Sequence, residues 1–166
     1  MTLPLKISII AGEESGDLLG ADLVAALRET MAGGEISLSG VGGQNLQRLG
    51  LKSLFDPAEI ALMGITAIIA KLPRLISLIN KTAAHVIAEK PDCLIIIDSP
   101  DFTHRVARKV RASNPSIPII NYVCPSVWAW RSGRVRLVNE YAHTMAAIYP
   151  FETEFYRNHG CNKVVY

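Results

Sequence analysis

Apolar residues fall along this chain in short continuous runs, separated by stretches of helical period. Lys6–Ala11 (KISIIA), Glu35–Gly40, Asp92–Ile97 (DCLIII), Ile117–Val123 and Met145–Tyr149 read as strands, with Leu51–Phe55 a shorter candidate. Leu18–Met31, with Leu19, Leu23, Ala26 and Leu27 on one face, Gln44–Leu49 and Asp101–Ala112 read as helices. The strand runs are continuously β-branched rather than alternating, which suits strands covered on both faces. The pattern predicts an α/β fold: a mainly parallel sheet between two helical layers, joined by right-handed crossovers. There is no internal repeat and no low-complexity linker. The sequence stops at Lys163-Val164-Val165-Tyr166, inside what reads as a further strand. That ending is expected of one domain of a longer protein, with a natural edge strand as the alternative.

Pro57–Lys90 is long and mostly apolar. Pro73 is expected to divide it, standing at the first position of a second helix. Ile65, Ile68, Ile69, Leu72, Leu75, Ile76 and Ile79 recur at three- and four-residue steps, with Lys71, Arg74 and Lys81 on the other side. An ordinary helix pair covering the sheet accounts for this periodicity. So does an interfacial surface built on the apolar cluster Ala61-Leu62-Met63-Gly64-Ile65. Periodicity does not choose between them.

Composition narrows the function. The 166 residues are 49% hydrophobic and 19% charged, enough for one folded globular domain with a real core and too few for two full ones. Seventeen basic against fifteen acidic residues leave a net charge of +2, too small a surplus to point to nucleic acid. No apolar run is long enough to cross a membrane, and the opening residues do not form a signal peptide. Cys93, Cys124 and Cys161 are odd in number and far apart. Neither they nor the scattered histidines His85, His104, His143 and His159 form a metal-binding spacing, so no zinc motif is expected. A reducing cytosol fits such cysteine usage.

In open parallel sheets, ligands bind beyond the carboxyl ends of the strands. Four turns are therefore candidates. Ala11-Gly12-Glu13-Glu14-Ser15-Gly16-Asp17 follows the first strand; Ser15 or Asp17 is placed to cap the next helix. Its three carboxylates suit sugar hydroxyls better than a pyrophosphate, which needs amides and a lysine. Gly40-Val41-Gly42-Gly43 is a weaker signal that close packing explains equally well. In Ile97-Asp98-Ser99-Pro100-Asp101-Phe102, Asp101 is expected to N-cap the following helix. Asp98, at the mouth of the most apolar strand, reads as a general base or as a structural aspartate bonded to loop amides. The fourth turn, Tyr122 to Arg131, holds Trp128 and Trp130 beside Arg131. Those side chains suit a sugar or phosphate, or pack between layers.

The segments AGEESGDLLGADL, GVGG, ALMGI, IDSPDF and YVCPSVWAWR, in that order, resemble the N-terminal half of the lipid-A-disaccharide synthase family. The resemblance covers nearly the whole chain; GExSGD and PSVWAWR together are specific. It implies a Rossmann-like three-layer domain, the acceptor-side half of a two-domain GT-B glycosyltransferase whose UDP-sugar half lies outside these residues. The implied reaction is inverting transfer of 2,3-diacylglucosamine from UDP onto 2,3-diacylglucosamine 1-phosphate, with no metal or cofactor expected, on the cytoplasmic face of the bacterial inner membrane. This half by itself is then expected to be inactive, and an uncovered domain face makes self-association an expectation too. The resemblance carries the family's motif onto Glu13, Ser15, Asp17 and Asp98, with Asp98 the first choice as base and Glu13 the second. Asp101, Trp128 and Arg131 join Ser15 and Asp17 as expected acceptor contacts, Arg131 meeting the 1-phosphate. Leu62, Met63, Ile65, Ile68 and Ile69 correspond to its membrane- and acyl-chain-facing segment.

Two departures stand out: Cys124 replaces a common Ser, and Ile65-Thr66-Ala67 lacks an acidic residue some relatives carry. Two other readings compete. A free-standing nucleotide- or flavin-binding domain is opposed by Glu13, Glu14 and Asp17. A non-enzymatic membrane module leaves Asp98 and the tryptophan loop unexplained.

Overall fold

A computed structural model of the protein describes residues 3–31, 34–61, 68–125 and 135–166. Among the described residues, seven strands form one sheet: β1 (Leu5–Ala11), β2 (Ile36–Val41), β3 (Lys52–Ser53), β4 (Cys93–Ile97), β5 (Ile119–Tyr122), β6 (Thr144–Ala146) and β7 (Val164–Val165). Their order is β3-β2-β1-β4-β5-β6-β7, and every neighbouring pair is parallel. The described helices are α1 (Glu14–Thr30), α2 (Gln44–Arg48), α3 (Ala58–Ala61), α4 (Ile68–Glu89), α5 (Pro100–Ser113), α6 (Val135–Tyr141) and α7 (Pro150–Asn158).

The sheet is buried on both faces, which is why its strands do not alternate. Ile10, Leu94 and Ile96 join one core with Leu78, Phe102, Val106 and Tyr141. Their neighbours Ile9, Ile95 and Ile97 point the other way, against Val24 and Leu46. Period-two side-chain direction thus feeds two cores from one apolar run.

Several expected boundaries move. α1 starts at Glu14, four residues before Leu18, and Glu13 takes the N-cap position without a side-chain cap. Neither Ser15 nor Asp17 caps α1; both lie within its first turn. β6 ends at Ala146 because the chain turns into α7: the buried Glu152 accepts hydrogen bonds from the Ile148 and Tyr149 N–H groups at 3.1 and 3.2 Å. Pro150 at the start of α7 and Glu152 two residues later are the local helix-start signal for that element. Pro73 lies inside α4 rather than at its start. A proline near a helix's N-terminal end removes one ladder bond. Burial of Leu78, Ile79, Ala83 and Val86 holds the rest of α4 on the sheet.

Candidate active site

The strand order reverses direction between β1 and β4, so the crevice expected of such sheets opens where these two strands end. β1 delivers Gly12 and Glu13 there, and β4 delivers Asp98 and Ser99. The two loops exchange hydrogen bonds. Ser15 donates its hydroxyl to Asp98 Oδ2 at 3.3 Å, and Ser99 donates its own to Glu13 Oε1 at 3.1 Å. Each carboxylate is thus met by a serine from the other loop. Both bonds are long for a hydroxyl and a carboxylate, a geometry that leaves the oxygens free to tighten on a ligand.

Asp98 and Ser99 both have positive φ, 52° and 45°. A side chain disfavours that region, and strain of this kind gathers at functional sites. Burial pushes the Asp98 carboxyl above its ordinary value; the Ser15 hydrogen bond opposes this, and the nearby Glu13 charge adds to it. A carboxylate raised in this way is a better proton acceptor near neutrality than an ordinary aspartate.

Two clefts flank this turn. One, of about 500 Å³, is lined by Glu13, Glu14, Gln44, Asn45 and Asp56. The other, of about 220 Å³, is lined by Asp98, His104, Asn121 and Cys124. Carboxylates and side-chain amides in the larger cleft suit hydroxyl and amide groups.

Asp17, expected as an acceptor contact, lines the larger cleft, and its carboxylate also holds the loop around it. It is 3% exposed, and its carboxylate accepts the main-chain N–H groups of Gly43 (2.7 Å), Asn45 (2.9 Å) and Leu46 (3.2 Å). It therefore satisfies the free N-terminal donors of α2 and shapes the loop. A Cβ on Gly43 would stand 2.8 Å from that carboxylate, so the glycine turn serves this close approach. Asp101 does not cap α5 either. Ser99 holds the N-cap position, Pro100 follows at the first turn, and Asp101 is exposed. The fixed φ of a proline suits the first helical position, so Pro100 takes that place and Ser99 becomes the N-cap.

Trp128, Arg131, Leu62, Met63 and Ile65 lie outside the described residues, and Ile68 and Ile69 begin α4. The start of the tryptophan loop is fixed by the buried Tyr156, whose hydroxyl donates to the Pro125 carbonyl at 2.5 Å. Sequence reasoning missed Ser99 and Thr103. A serine before a proline gives an N-cap signal, but nothing local tells that its hydroxyl turns to a loop 86 residues away. Among the described residues, no group of His, Cys, Asp or Glu is arranged to hold a metal ion. No described helix is long and apolar enough to cross a membrane.

The sequence profile of the lipid-A-disaccharide synthetase family matches residues 7–166. The chain belongs to that family. It is 54% identical to the lipid-A-disaccharide synthase of Nitrobacter winogradskyi over 93% of this chain and 39% of the relative. Against the synthase of Myxococcus xanthus it is 41% identical, over 96% of this chain and 41% of the relative. The chain therefore spans about two fifths of the length of these family members. Two solved structures share its fold at low identity. A UDP-GlcNAc 2-epimerase from Neisseria meningitidis, bound to UDP-GlcNAc, matches with TM-score 0.65 and 13% identity over 96% of this chain and 45% of its own. The S. aureus MnaA–UDP structure matches with TM-score 0.62 and 17% identity, over 96% and 42%. These likenesses bear out the Rossmann-like α/β reading of the fold.

Proposed function

We propose that this chain is the acceptor-binding half of a GT-B glycosyltransferase that makes lipid A disaccharide 1-phosphate. The donor is UDP-2,3-diacylglucosamine, held mainly by the part of the protein beyond these residues. The acceptor is 2,3-diacylglucosamine 1-phosphate. Family membership supports the reaction, and the reciprocal pairing of Glu13 with Ser99 and Asp98 with Ser15 at the sheet's switch point carries the site.

The 6-hydroxyl of the acceptor attacks the anomeric carbon in line with the departing UDP. One C–O bond forms as the bond to the diphosphate breaks, inverting the centre, and Asp98 takes the hydroxyl proton. Glu13 orients the acceptor from the larger cleft, with Ser15 beside Asp98. Arg131 and Trp128 meet the phosphate and the sugar face. Much of the rate comes from positioning. The test is Asp98→Ala in the full-length enzyme, assayed by UDP release. A fall in turnover of about a hundredfold or more, with the fold intact, is expected of a lost general base. Near-normal turnover removes Asp98 from the role.

The same chain is proposed to sit on the inner-membrane surface. α4 leaves Leu72 and Ile76 39% and 45% exposed, one turn apart on one face. Beside them, Arg105, Arg108 and Lys109 of α5 line a groove of about 410 Å³ with Ile76 and Ile79. An apolar face edged by cations suits an anionic bilayer. Vesicle sedimentation of the full-length protein tests this: Leu72→Glu with Ile76→Glu should abolish binding, and unaltered binding would reject the surface.

A further inference from the structure

We infer that Thr103 is a positioning residue, clipping the left-handed Asp98–Ser99 turn so that each loop holds the other's carboxylate. The inference rests on the transferase reading above and names what keeps its site assembled.

Thr103 is 1% exposed and lies in the first turns of α5. A threonine in a helix commonly returns its hydroxyl to the carbonyl four residues back. Here the hydroxyl does that at Ser99, at 3.1 Å, and reaches one residue further to the Asp98 carbonyl at 2.7 Å. Its one hydrogen is shared between both left-handed residues of this turn, the nearer contact being to Asp98. The Ser99 carbonyl also accepts the Phe102 and Thr103 N–H groups, each at 2.9 Å. No glycine eases this turn, so contacts from α5 must hold it.

The turn's conformation sets both functional bonds. It turns the Ser99 hydroxyl away from the free N–H groups of α5 and toward Glu13. It also puts the Asp98 carboxylate over the start of α1, beside Ser15 and within 3.5 Å of where a Cβ on Gly16 would stand. Gly12 completes the fit, because a Cβ there would lie 2.7 Å from the Ser99 Cβ. Without the Thr103 hydroxyl, whose single hydrogen is shared mainly with the nearer Asp98 carbonyl, that carbonyl loses this donor and the turn relaxes. Asp98 then moves toward water and its raised carboxyl returns toward the ordinary value.

The test compares Thr103→Val and Thr103→Ser in the full-length enzyme, with acceptor in mixed micelles. Valine keeps the shape and removes the hydroxyl; serine keeps the hydroxyl and removes the methyl. For Thr103→Val, kcat should fall about ten- to a hundredfold with KM changed less than about twofold. The acid limb of kcat/KM should move to lower pH, since that limb reports the free enzyme's base. Thr103→Ser should restore both. A Thr103→Val enzyme with wild-type kcat and acid limb overturns the inference, as does a Thr103→Ser enzyme impaired as much as the valine variant. If Thr103→Val does not fold, Ser99→Ala serves: kcat should fall in the same range, and wild-type kcat overturns the inference. Asp98→Ala in the same assay separates the two ideas. Turnover surviving that change defeats the base assignment, whereas turnover lost there but normal in Thr103→Val defeats the clip alone.

Discussion

Asp17 Oδ1 accepts the Gly43 N–H at 2.7 Å, and this bond ties the first turn of α1 to the turn after β2. Two further amides, of Asn45 and Leu46, complete the carboxylate's shell. Hydrogen bonds to a charged acceptor are worth about 1.5–3 kcal/mol each, and neighbours are not additive. Asp17→Ala removes the acceptor from three N–H groups, of which the buried Leu46 amide is cut off from water while Gly43 and Asn45 are only half-buried, and should cost about 1–3 kcal/mol. Asp17→Asn should cost less, because one oxygen still accepts while its NH2 group opposes a donor. Urea unfolding of both variants checks this. If Asp17 were instead a ligand contact, its loss would raise KM and leave the unfolding midpoint in place.

Gly12 gives the second prediction. Alanine there brings its Cβ to 2.7 Å from the Ser99 Cβ, in a turn whose partner loop is clamped by Thr103. Overpacking at a fixed site costs about 1–3 kcal/mol. Gly12→Ala should therefore destabilise the protein by that amount and separate Ser99 from Glu13. Thermal unfolding reads the first effect and turnover the second. A Gly12→Ala protein as stable as the parent would mean that the two loops are free to part.

The sheet was legible in the sequence because both its faces are buried. Continuous runs such as Cys93–Ile97 have few other readings, and the expected strands fall within a few residues of those observed. Asp98 was legible for the same reason: a carboxylate at the end of an apolar strand stands out. The partners were not legible. Asp17 reads as a cap for its own helix, yet serves one 28 residues further on through Asn45. Asp101 reads as a cap, yet Pro100 hands that position to Ser99, whose hydroxyl goes to Glu13. Local propensity marks which residues can accept or donate. Which donor arrives is set by the crossovers that stack β1 beside β4.

Asp98 carries a pH dependence whose sign follows from burial. Its carboxyl is raised from 3.8, so the folded protein holds this proton more tightly than the unfolded chain. The favourable contribution is complete below the unfolded value and lost as pH rises through the folded one. At neutral pH the ionised group therefore strains the fold. Asp98→Asn keeps an acceptor for Ser15 and removes the charge. It should raise Tm at pH 7 by about 1–2 °C, after allowing for solvent screening of a partly exposed group. The difference should shrink as pH falls toward 4. Lower stability of Asp98→Asn at pH 7 would show that the ionised form is the one this turn favours.

His143 carries the opposite sign, at the other end of the sheet. Its Nδ1 accepts the Ile119 N–H at 2.9 Å. The Arg111 guanidinium lies against the ring, 2.8 and 2.9 Å from its two nitrogens. Burial lowers the His143 pKa from 6.5, and the charges of Arg111 and Lys163 lower it further. The folded state thus favours neutral His143. Its contribution is present above about pH 6.5, the unfolded value, and is lost as pH falls through the lower folded value. Protonation would both end the Ile119 bond and set a cation against Arg111. The urea midpoint of the wild-type protein should therefore drop between pH 7.5 and 5.5 by more than that of His143→Asn, which does not titrate there. Equal drops would mean that the imidazole accepts its proton without leaving the Ile119 amide, and that Arg111 moves to make room.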